Sequence, residues 1–215
     1  MSLLPAPRPC PCGKAPADCR WPGSPLGLGL KLGQVVVTEG GRGDFFSKAV
    51  AWATQSWWTH VFVVTGVDEL TEAYMPRVRT QPLTKRLEEL RREKRAYVVL
   101  DLPTLTLADR CKLALHARSY VGRFYDVGQA LLYTVNRRFE SDGTGTMVCS
   151  RLVTAAYYSG LGLDLFPVEK RAEAPRTRRA NLAKGYATPA DLLRSNLEVV
   201  RFVASPTATS PEDLL

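Results

Sequence analysis

A chain of 215 residues, 45% hydrophobic and 23% charged, is long enough for one domain with a sizeable core and is ordinary for a globular protein, which excludes fibrous and wholly disordered classes. Twenty-nine Lys and Arg against 21 Asp and Glu leave a net charge of +8, which suits a solvated basic surface or anionic partners. No apolar run is long enough to span a bilayer. The N-terminus lacks the charged start and apolar core of a secretory signal, and five cysteines, three of them before residue 20, do not form a disulfide framework, so a reducing cytoplasm is expected.

Residues 1–28 are rich in Pro and Gly without periodicity and read as a mobile tail. Cys10, Cys12 and Cys19 lie there, but no further Cys or His pair completes a zinc set at a usual spacing, so no metal is expected. A core domain over 29–204 follows, and 205–215 reads as a second tail. Residues 34–38 read as a strand. Asp44 suits the cap of a helix from Phe45 to Gln55. Thr59-His-Val-Phe-Val-Val-Thr65 and Leu70-Thr-Glu-Ala-Tyr74 read as a strand and its returning partner. Pro82 to Arg95 is a charged run of mixed sign and reads as a solvated helix. Its reading as a nucleic-acid arm is disfavoured. Ala96 to Asp101 reads as a buried strand, Leu107 to Val121 as an amphipathic helix, and Leu197 to Val203 as the last core strand.

Cys149 is the most informative residue. It stands where a Gly-rich approach gives way to a helix-like run, Ser150 to Ser159, closed by Gly160. A thiol at a helix start meets unpaired N–H groups and the positive dipole end, which favour thiolate. A nucleophile also needs a base, and the chain has only two histidines. His116 lies inside a helix without a carboxylate on its face and reads as structural or exposed; Cys111, on the same helix, reads as a core thiol. His60 sits on a strand, with Glu72 on the next; Asp68 and Glu69 lie nearby as alternative carboxylates, but Glu72 falls within the strand. If Glu72 pairs with Phe62 across an odd loop such as Gly66-Val-Asp68, it shares the His60 face and reaches the imidazole.

A strand histidine, a carboxylate on the next strand and a helix-start cysteine, in that order, resemble the circularly permuted NlpC/P60 (YiiX/YaeF/LRAT-like) families of papain-like cysteine hydrolases. The resemblance runs through Leu32-Gly-Gln-Val, Ser56-Trp-Trp-Thr-His60, Thr71-Glu-Ala, Val121-Gly-Arg-Phe-Tyr-Asp126, Val148-Cys-Ser-Arg-Leu-Val153 and Thr188-Pro-Ala-Asp-Leu-Leu193. Gln34, where Asp is common, and Arg151, where Glu usually follows Cys-Ser, depart from the pattern; neither falls on a catalytic position. The resemblance implies an α+β papain-like fold: a small antiparallel sheet or half-barrel with a packed nucleophile helix. It also makes Tyr125 a wall of the cleft.

The expected chemistry is hydrolysis of an amide bond through an acyl-thioenzyme, without a cofactor. Cys149 attacks, His60 moves the proton and Glu72 orients the imidazole. The Cys149 N–H is the first oxyanion donor, and the second stays open. Trp57 and Trp58 are candidates to line the cleft. The resemblance suggests a peptidoglycan peptide as substrate, with a lipid acyl group or an idle binding site as rivals. A cytoplasmic role, or delivery by a phage particle or secretion machine, reconciles a wall substrate with the absent signal. The basic run from Glu169 to Lys184 is expected to attract an anionic ligand.

Overall fold

The computed structural model describes residues 29–41, 45–54, 56–126, 146–173, 182 and 187–205. The zinc candidates Cys10, Cys12 and Cys19, the cap Asp44, and Arg176, Arg178, Arg179 and Lys184 of the basic run lie outside the described residues.

Val and Thr dominate the strand sequences because their β-branched side chains fit a pleated, buried surface. The strands are β1 (Val35–Glu39), β2 (Trp58–Gly66), β3 (Glu69–Tyr74), β4 (Arg77–Gln81), β5 (Tyr97–Asp101), β6 (Phe124–Tyr125), β7 (Thr146–Met147) and β8 (Glu198–Val203). They form one sheet in the order β7-β6-β4-β3-β2-β1-β5-β8. Neighbours are antiparallel apart from β6 and β7, which run parallel. The helices are α1 (Phe45–Thr54), α2 (Leu83–Arg92), α3 (Leu107–Ser119), α4 (Cys149–Leu161), α5 (Val168–Glu173) and α6 (Pro189–Leu192). The fold is α+β, and its sheet is larger than the small one expected. No described helix is long and apolar enough to cross a membrane.

Alternation along the strands divides the apolar residues between two faces. Val35, Val37, Val61, Val63, Val98 and Leu100 pack with Leu113 of α3 and Leu152, Val153 and Ala156 of α4. Val36, Phe62, Val64, Leu70 and Val99 pack with Leu83, Leu87 and Leu90 of α2. The solvated helix read over 82–95 is therefore corrected. Its leucines recur at i, i+4 and i+7 and bury one stripe, while the charges occupy the other side.

A further correction concerns a helix end. Helix α4 runs past Gly160 and is closed by Gly162, whose φ of 69° a side chain would resist. Gly160 serves packing: a Cβ there would lie 3.1 Å from the His116 ring. His116 is thus held against the α4 backbone, and Cys111 is buried beside Leu32 and Ala114.

Candidate active site

The β2–β3 hairpin sets the site. Its turn is Val67-Asp68, and the register shifts between Val64 and Gly66. A two-residue turn plus one bulged residue gives the same parity as the three-residue loop expected, so Phe62 pairs with Glu72. His60 pairs with Thr38 on β1 and projects on the same face as Phe62 and Glu72. Its Nε2 lies 2.7 Å from Glu72 Oε2.

The other oxygen of Glu72 is fully engaged. Arg79 donates to Oε1 from Nε at 2.9 Å and Nη2 at 2.8 Å, and Gln81 Nε2 donates at 2.7 Å. The Arg79 guanidinium also stacks 4.3 Å from the Tyr74 ring centre, and Tyr74 meets the His60 ring edge to face at 5.6 Å. Sequence reasoning missed this clamp because the polar strand Arg77-Val-Arg-Thr-Gln81 carries no strong apolar signal. Its alternation, with Arg77, Arg79 and Gln81 on one side of Val78, was the available clue.

Burial would raise the Glu72 carboxyl, but the hydrogen bonds and charges of His60, Arg86 and Arg79 overcome it and hold the group at about 2. Burial pushes the His60 imidazole below its usual value. The attraction of Glu72 opposes that shift, and the positive charges of Arg86 and Arg95 add to it.

The thiol comes from the opposite layer. Helix α4 begins at Cys149, and Val148 before it supplies no side-chain cap. The first N–H groups are therefore left for other acceptors, and those of Cys149 and Ser150 favour the ionised form of the thiol. The first turn is anchored where the Ser150 hydroxyl donates to the Ala187 carbonyl, just before the Thr188–Asp191 capping box of α6. Pairing of β2 with β3 stops at Phe62 and Glu72, although β2 continues down to Trp58 along β1 and β3 continues to Tyr74 along β4. The thiol meets the sheet at this split, where the Val61 N–H donates to it. Tyr125, placed on β6 opposite Met147 of β7, also hydrogen-bonds the sulfur through its hydroxyl. Burial, then the neighbouring Cys149, raises the Tyr125 hydroxyl well above its usual range, so it stays protonated.

Burial works against the activated thiolate expected at a helix start. Burial pushes Cys149 up to about 11, against the lowering effect of three N–H donors, and the Glu72 charge adds to the rise. Burial thus favours the neutral form of both the thiol and the imidazole. Among the described residues no hydrogen bond joins His60 to Cys149: the imidazole approaches the split from the α2 side and the thiol from the α4 side.

The two tryptophans separate. The β1–β2 register shifts between Thr38 and Glu39, leaving Thr59 as an extra residue on β2. That bulge turns Trp58 into the α4-side core, where it is fully buried. Trp58 is therefore corrected from cleft wall to core. Trp57 is more than half exposed at the same end of the sheet. Gln34 is also structural. It is buried, donates to Asp101 at 2.9 Å and accepts from the Lys31 N–H, so an Asp there would set a second carboxylate beside Asp101.

No cluster of three or more metal-binding side chains occurs among the described residues. Cavities of about 410 Å³ beside Arg151 and Arg171 and about 590 Å³ between α2 and β8 lie away from the thiol. The described part of the basic run is residues 169–173 of α5 and residue 182; in α5 Arg171 pairs with Asp164 and Lys170 with Glu173, so part of its charge is already compensated.

No protein-family model and no curated protein matches the chain. Among solved structures, the chain is similar to one described as the crystal structure of metalloprotein yiiX from Escherichia coli O157:H7, DUF1105. The two share 25% sequence identity over 83% of this chain and 90% of that one, with a TM-score of 0.48.

Proposed function

We propose that the chain is a papain-like thiol hydrolase in which Cys149 is the nucleophile, His60 the base and Glu72 the residue that orients it. The observation that carries this reading is the split between β2 and β3. The thiol accepts a hydrogen bond from Val61, the residue after His60, while the imidazole is held through Nε2 by a buried carboxylate. That arrangement leaves Nδ1 as the basic nitrogen.

With thiol and imidazole both neutral at rest, proton transfer accompanies attack. The Cys149 sulfur adds to a carbonyl carbon as its proton passes to His60 Nδ1. Glu72 stabilises the imidazolium that forms. The carbonyl oxygen gathers negative charge facing the Cys149 N–H, and the Tyr125 hydroxyl, close to the sulfur and held protonated, supplies the second donor. The carbon–leaving group bond then breaks, and His60 returns the proton to the departing amine or alcohol. Water, or another acceptor, releases the acyl group from sulfur.

The leading substrate class is an amide, including peptidoglycan peptides. Lipid acyl transfer is the second reading, favoured by exposed apolar side chains around the split: Trp57, Tyr74, Met75 and Phe124. The test is mass spectrometry of products from muropeptides and phospholipids, with Cys149→Ala as control. Cleaved peptides or acyl products that vanish in a folded Cys149→Ala protein support the reading. Products that persist in that variant overturn it.

A further inference from the structure

The strand ends that form the split share an unusual rim. β2 begins there at Trp58, β3 ends at Tyr74, β4 begins at Arg77, and Phe124 of β6 pairs with Arg77. Water-facing loops ordinarily carry polar side chains. Here Trp57 is 55% and Phe124 56% exposed, and Trp52, in the last turn of α1 that leads into Trp57, is 77% exposed. Met75, at the tip of the β3–β4 turn, and Val121, in the turn before β6, are also exposed. The turns are tied together: Tyr125 N–H donates to the Pro76 carbonyl at 2.8 Å and Val78 N–H to the Arg123 carbonyl at 2.8 Å. An exposed apolar rim on one end of a protein marks an interaction surface.

Cations are interleaved with this rim. Arg77 lies 4.4 Å over the Phe124 ring and Arg123 lies 4.7 Å over the Tyr120 ring. The nearby carboxylates Glu39 and Glu72 are buried, and Asp126 is half-buried. Tryptophan, tyrosine and aliphatic tips beside arginine heads match the level of a bilayer where acyl chains give way to headgroups. The surface charge then selects anionic headgroups. An acidic protein partner would satisfy the arginines but leave less reason for apolar side chains at several separate turn tips.

We propose that this end of the sheet docks on the surface of a bilayer containing anionic lipid, setting the Cys149 split against the headgroup layer. The proposal extends the acyl-transfer reading of that site, but docking needs no turnover, so the two fail separately.

The experiment is co-sedimentation of the full chain with phosphatidylcholine vesicles, with and without about one third phosphatidylserine. Brominated lipid in parallel samples reads tryptophan depth by quenching. The expected result is binding to the anionic vesicles that weakens with salt and is unchanged in Cys149→Ala. Arg77→Gln and Arg123→Gln should each weaken it about fivefold, and Met75→Ser with Phe124→Ser should weaken it about tenfold or more. Quenching should fall when Trp52 and Trp57 are both changed to Phe. Binding only to soluble polyglutamate, equal binding to neutral and anionic vesicles, or vesicle binding that survives the Met75 and Phe124 changes in a folded protein would each overturn the proposal.

Discussion

The β2–β3 hairpin has two halves that differ in what they do. From Gly66 and Glu69 down to Phe62 and Glu72 the strands are paired, and their side chains fill the layers on both sides of the sheet. Below that point each strand keeps only its outer neighbour, and the opening receives the Cys149 sulfur on one side and the His60 ring on the other. The closed half spends its backbone donors on a ladder. The open half turns one of them, the Val61 N–H, to the thiol. A sheet that stayed paired to its end would seal the thiol in the α4 layer, away from the imidazole.

Substitutions in the two halves should separate stability from chemistry. Phe62→Ala, in the closed half, removes a fully buried ring and should cost about 3–5 kcal/mol in chemical denaturation. Tyr74→Ala, in the open half, removes a partly exposed ring and should cost under about 1 kcal/mol. It should nevertheless shift the His60 ring resonances, because Tyr74 lies against that ring. Equal losses of stability at the two positions would break the comparison.

Glu72→Gln tests the hinge between the halves. The change keeps shape but leaves Arg79 without its carboxylate and the imidazole without its anion. Removing one partner of a buried charge pair costs about 3–5 kcal/mol, and the half-exposed Arg79 brings the expectation to the lower end of that range. Denaturant midpoints check it. A neutral result would mean that the clamp orders the imidazole without stabilising the fold.

A smaller effect should appear in the pH dependence of stability. The folded-state pKa of His60 lies below 6.5, so the unfolded chain binds more protons as pH falls through that value. Stability should therefore decline on acidification from about pH 6.5. Glu72, depressed to about 2 from 4.5, adds a further loss as pH falls below the unfolded value and through the folded one. His60→Gln should flatten the first decline and leave other acid-sensitive contributions. Melting temperatures between pH 7 and 5 measure the difference.

Much of the site was legible because strand parity is a local rule. Alternation showed which pairing would bring Glu72 to the His60 face, and an assumed three-residue loop gave the Phe62 partner; the bulge that supplies the same parity was not visible. Trp58 escaped the same reasoning. A single extra residue at Thr59 reverses its face, and nothing in Ser-Trp-Trp-Thr-His announces that extra residue. The α2 leucines were hidden among charges of both signs. The burial of Cys149 was hidden for a different reason. A helix start is read from neighbours in sequence, whereas the burial that outweighs it comes from the distant layers around the split. Arg79 was missed because a polar strand acquires its meaning only when the carboxylate it binds is placed beside it.

The most direct test uses a substrate that asks little of specificity. The protein is mixed with p-nitrophenyl acetate, and the acetyl adduct on each cysteine is followed by peptide mass spectrometry in wild type and His60→Gln. The account predicts rapid acetylation of Cys149, far ahead of the buried Cys111, and a loss of about a hundredfold or more in His60→Gln, the usual scale of general base catalysis. Acetylation of Cys149 no faster than Cys111, or at the same rate without the imidazole, would contradict it.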